Sequence, residues 1–127
     1  MRNGPILRLH LLVSTLLATA ITPLAFAQQL SPEYLSCHAR AKNLVQEGIC
    51  DQSELGKQDD RLNKVYKQLM LQYASDPVRQ ASLRTEERTW LRKRDYDCKI
   101  NGTTIDDGCL MTQTAQRADT LEKQIKF

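Results

Sequence analysis

Trp90, Arg94 and Cys98 are spaced i, i+4 and i+8 in a densely charged run, which on a helix is a single stripe. An arginine between two residues that usually seek burial needs a fixed counter-charge, so the chemistry offered is carboxylate recognition by a guanidinium rather than bond making. No catalytic residue is expected. His38 is the one histidine outside the apolar N-terminal segment, and with the cysteines expected to be oxidised no nucleophile with a neighbouring base stands out. The paired carboxylates Asp59-Asp60, Glu86-Glu87 and Asp106-Asp107 are sequence neighbours, which do not face each other on a helix. Cys37, Cys50, Cys98 and Cys109 form no CxxC pair, and His38 beside Cys37 completes no ordinary ligand set. Neither a metal nor another cofactor is expected.

The compartment follows from the start of the chain. Arg2 and Arg8 precede an apolar run from Leu9 to Ile21, and Ala25-Phe26-Ala27 has the small-x-small form of a signal-peptidase site. Residues 1–27 therefore read as a cleaved signal peptide and 28–127 as one helical domain, periplasmic or secreted from a bacterium and without a stable membrane anchor after cleavage. The leader removes two of the 18 basic residues, leaving a charge of about +1 against 15 acidic ones. Acids and bases alternate throughout, so no one-signed patch suited to nucleic acid exists. Four cysteines in a small exported domain imply two disulfides. Three pairings are possible; Cys37 with Cys50 and Cys98 with Cys109 are preferred, each short loop contributing about 3 kcal/mol in the chain-entropy model.

These residues must be positioned by helices. Pro32 to Val45 reads as a first helix closed by Gly48. Asp51 and Glu54 resemble a capping box, after which Leu55, Leu62, Val65, Tyr66, Leu69, Met70 and Tyr73 recur at helical spacing to about Ala74. Asp76 and Pro77 stop that helix and begin a third, which carries Val78, Leu83, Trp90 and Leu91 to about Cys98. A turn-rich loop follows, and Leu110, Ala118, Leu121 and Ile125 mark a last helix. The expected fold is all-α: a small disulfide-stapled bundle of about four helices, with an antiparallel helical hairpin at its centre.

Counting outward from Ser75-Asp76 sets Asp59 level with Arg94, and Leu62 and Asn63 level with Trp90, while Tyr66 shares their face. A structural clamp is expected in which Asp59, with Asn63, holds Arg94 by a bidentate contact under Trp90. The same counting across the 101–106 loop brings Arg117 to Glu87 and Trp90, and Cys98 level with Cys109.

The pattern Cys50, Asp59, Leu62, Asn63, Tyr66; then Trp90, Arg94, Asp95, Cys98; then Cys109, Thr114, Arg117, Leu121 resembles the LprI-like proteins. The resemblance runs from about Cys37 to Leu121. It implies an exported, all-helical, disulfide-bonded domain and, from the founding member, inhibition of lysozyme by binding. Members often carry Gln three residues before the Trp; this chain has Glu87, and its 38–49 segment departs from the family pattern.

The expected function is therefore non-catalytic binding of a protein partner, a c-type lysozyme or another peptidoglycan-cleaving enzyme. The candidate binding element is the polar 101–108 loop with Thr103, Thr104, Asp106 and Asp107, pinned by the proposed Cys98–Cys109 bond, since pinning lowers the ordering cost of binding. The alternative is an envelope adaptor or stress-related structural module that uses an exposed helix face and has no effect on lysozyme. An acidic loop surface would favour the first, and an exposed apolar patch on a terminal helix the second.

Overall fold

The computed structural model describes residues 30–127; the signal-peptide expectation for 1–27 lies outside them. Four helices account for most of the chain: α1 Pro32–Arg40, α2 Leu44–Gln72, α3 Pro77–Asp97 and α4 Asp107–Glu122. Two short strands, β1 Lys99–Ile100 and β2 Thr104–Ile105, pair antiparallel between α3 and α4. The protein is thus an all-α bundle with two disulfides, Cys37–Cys50 and Cys98–Cys109.

Local chemistry explains most boundaries. Ser31 caps α1 by accepting from the Tyr34 N–H, with Pro32 at the first helical position. Asp76 and Pro77 do the same for α3, Asp76 accepting from the Arg79 N–H. The first boundary differs from the sequence expectation. α1 stops at Arg40, and α2 begins at Leu44 rather than near Gln52, so Gly48 and Asp51 lie inside it. Asn43 is the cap, accepting from the Gln46 N–H, while the Gln46 side chain accepts from the Lys42 N–H. That reciprocal pair satisfies the first orphan donors upstream of Asp51, which leaves Asp51 and Glu54 free for tertiary contacts.

α2, 29 residues long and so about 43 Å, is the spine. α3 returns antiparallel to it after Tyr73–Asp76, and α4 then runs parallel to α2: Gly108 approaches Asp51, Arg61 reaches Asp119 and Glu122, and Gln72 bonds Gln124. Ala115 and Ala118 are fully buried, and their small side chains let α4 lie close against α2. Leu62, Val65, Leu69, Tyr73, Leu83, Ala118 and Leu121 form the core, with Tyr66, Met70, Trp90 and Ile125 at its margin. α3 buries Leu83 alone. It must be held largely by its polar contacts.

Candidate functional site

Trp90, on α3, is flanked by two guanidinium groups whose carbons lie 5.2 Å (Arg94) and 5.7 Å (Arg117) from its ring centroid, within cation–π range. Arg94 links three helices. Its Nη1 donates to Thr114 Oγ1 on α4 at 3.1 Å and to Asp59 Oδ1 on α2 at 3.4 Å, and its Nε and Nη2 donate to Asp95 Oδ1 at 3.0 and 2.9 Å. The expected arrangement is therefore altered. The doubled contact goes to the adjacent Asp95, the bond to Asp59 is long, and Asn63 is exposed and makes none to Arg94. Thr114, fully buried, donates its hydroxyl hydrogen bond to the Leu110 carbonyl at 2.7 Å and so presents a lone pair to Arg94. Burial raises the Asp59 carboxyl pKa against the opposing pull of Arg94, the consequence of a long bond in a half-covered place.

Arg117 and Glu87 face each other at 2.9 Å with side chains only 14% and 13% exposed. The Nε makes the aligned hydrogen bond; the Nη2, equally near, is misaligned and has no hydrogen-bond partner among the described residues. This pair ties α4 to α3 where apolar contact is sparse. Removing either partner of such a pair costs about 3–5 kcal/mol. A groove of about 480 Å³ runs between α2 and α3, lined by the clamp residues Asp59, Asn63, Tyr66 and Arg94 together with Arg84 and Arg88.

Two polar centres escaped the sequence reading. Glu54 is 1% exposed and accepts from the Ser31 N–H, the Ser31 hydroxyl and the Gln58 amide, fastening the start of α1 to α2. Burial raises its pKa, but the hydrogen bonds from Ser31 and Gln58 outweigh that and hold it below the ordinary value. Beside it, the Tyr34 hydroxyl donates to Asp51 at 3.1 Å, and burial with that bond pushes the phenol up to about 12. Lys57 donates to Ser31 Oγ and Glu33, and that hydroxyl also caps α1 by accepting from the Tyr34 N–H. Arg61 forms the second centre, bonded to Asp119 and Glu122 across α2 and α4, chiefly Glu122 raising its pKa. A signal existed. Glu54, Gln58, Leu62, Val65 and Leu69 continue one stripe at helical spacing, so the stripe that is apolar later in α2 is polar at its start.

The candidate binding loop is a β-hairpin. Lys99 pairs with Ile105 and Ile100 with Thr104. Asn101 (φ 50°) and Gly102 (φ 78°) form the turn, closed by the Thr103 N–H on the Ile100 carbonyl, as a type I′ turn requires. The base is sealed by the Cys98–Cys109 bond and by the Asp106 N–H on the Cys98 carbonyl. Thr103 and Thr104 are exposed at the tip, with Ile100, Ile105 and Tyr96 beside them. The two aspartates are placed otherwise: Asp106 caps α4 by accepting from the Cys109 N–H, and Asp107 is half-buried in its first turn. What the hairpin presents is small, rigid, polar and apolar, with its acids at the base.

Among the described residues no cluster of three or more His, Cys, Asp or Glu side chains could hold a metal, and no helix is long and apolar enough to cross a membrane. All four cysteines are in disulfides. Compared with known families, residues 37–121 match the model described as Lysozyme inhibitor LprI. No curated protein and no solved structure matches the chain.

Proposed function

Because the chain belongs to the lysozyme inhibitor LprI family, we propose that it works in the bacterial envelope or outside the cell as a non-catalytic binding protein that blocks a c-type lysozyme or another peptidoglycan-cleaving enzyme. The observation that carries this reading is the match across residues 37–121, which contain both disulfides and the hairpin. Such a projection, closed at its base by a disulfide and turned by Asn101-Gly102, loses little conformational freedom on entering a cleft. Thr103, Thr104, Ile100 and Ile105 would make the contact. Asp106 and Asp107 act through the shape of the hairpin base.

The test is a titration of lysozyme activity with the oxidised chain and with Thr103→Lys/Thr104→Lys, which places two positive charges on an exposed tip facing a basic enzyme. Stoichiometric inhibition, with the variant requiring roughly tenfold more protein, is expected. Absence of inhibition at micromolar protein would remove lysozyme as the target, and equal inhibition by the variant would move the contact off the hairpin.

A further inference from the structure

We infer that the corner between α1 and α2 docks on an anionic lipid surface, an activity independent of the inhibitor reading. α2 starts seven residues before Asp51, the residue that meets Gly108 at the start of α4. Its first two turns therefore extend about 10 Å beyond the start of α4, with the end of α1 beside them. On this overhang Leu44, Val45 and Ile49 are 83%, 75% and 62% exposed, whereas Cys50 and the stripe that follows it are buried. Val45 and Ile49 are i, i+4 neighbours on one side of the helix. Apolar side chains gathered on a projection mark a contact surface rather than the scattered exposure usual for monomers.

The charges beside them select the contact. Among the described residues Arg40 bonds the Ser36 hydroxyl at 2.6 Å and no carboxylate, and the Lys42 side chain likewise meets none. Arg40 and Ile49 edge one shallow hollow of about 270 Å³ over the Cys37–Cys50 bond. Apolar tips flanked by two basic groups, with Glu47 the one acid on the same two turns, are what an interfacial segment offers to anionic headgroups and the acyl boundary beneath them. A folded protein partner would have to supply a hollow for side chains standing this far out, while a bilayer yields to them. The disulfide fixes the corner beforehand, so docking orders little chain.

The experiment is co-sedimentation of the full disulfide-bonded chain with vesicles of phosphatidylglycerol and phosphatidylethanolamine, and with vesicles of phosphatidylcholine alone. Wild type is compared with Leu44→Ser/Val45→Ser and with Arg40→Gln/Lys42→Gln, all carrying the same residues 1–29, with helical content checked by circular dichroism. The wild type should partition onto the anionic vesicles, and each double substitution should lower that partition roughly tenfold or more. Equal partition of all three proteins, or partition indifferent to lipid charge, would overturn the inference. So would light scattering that showed self-association abolished by Leu44→Ser/Val45→Ser, which would assign the corner to a second copy.

Discussion

At the scale of single residues, Glu54 should contribute to how the protein answers to acid. Its carboxylate is the shared acceptor of three donors, and although burial works against ionisation, those bonds hold its pKa below the ordinary 4.5. A depressed folded pKa makes its stabilisation complete above the unfolded value and progressively lost as pH falls through the folded one. Asp59, raised mainly by burial, has the opposite sign and gains relative stability as pH falls. Glu54→Gln should therefore cost about 1–3 kcal/mol at neutral pH and flatten the acid limb. Urea unfolding at neutral pH and about pH 3 measures both quantities, and parallel losses in wild type and variant would show that Glu54 does not carry the acid sensitivity. Arg94 was legible in sequence because an arginine on a stripe with Trp90 demands a counter-charge, and Arg117 because counting across the 101–106 loop sets it near Glu87 and Trp90. Glu54 was not, because Asp51-x-x-Glu54 and Asn43-x-x-Gln46 both fit helix starts. Only the contact with Ser31, distant in sequence, decides between them.

At the scale of elements, α2 depends on tertiary burial more than on its own propensity, for it carries two interior glycines. A Cβ built on Gly56 meets nothing within 4 Å. Gly56→Ala should therefore stabilise the protein by about 0.5–1 kcal/mol through the unfolded chain's lost freedom, read as a higher urea midpoint at unchanged slope. A lower midpoint would mean that α2 uses the glycine to bend. Helix starts bearing local chemistry, such as Asp76-Pro77, could be read from sequence to the residue. The hairpin could not, since strands of two residues leave no room for the alternation that identifies a strand. Its turn signal, Asn101-Gly102, was visible without revealing that pairing surrounded it.

At the scale of the whole molecule, the two disulfides do different work because the core is unevenly shared. α1 contains no buried residue, and the core cluster draws on α2, α3, α4 and the segments next to them. α1 is held by Cys37–Cys50, Ser31 on Glu54, Tyr34 on Asp51 and the exposed Lys57–Glu33 pair. Such bonds close a local opening rather than the global one. Cys98 is 2% exposed at the base of the hairpin, and its bond joins the end of α3 to the start of α4, helices that otherwise share few apolar contacts. Cys37→Ser/Cys50→Ser should then free residues 32–40, seen as lost amide-exchange protection there, while the α2–α4 core keeps its protection. Cys98→Ser/Cys109→Ser should instead lower global stability by about 3 kcal/mol and loosen the hairpin. If both pairs of substitutions lowered protection uniformly, α1 would belong to the same cooperative unit as the core. The corner at Leu44 would then be as rigid as the rest of the molecule even without its own disulfide.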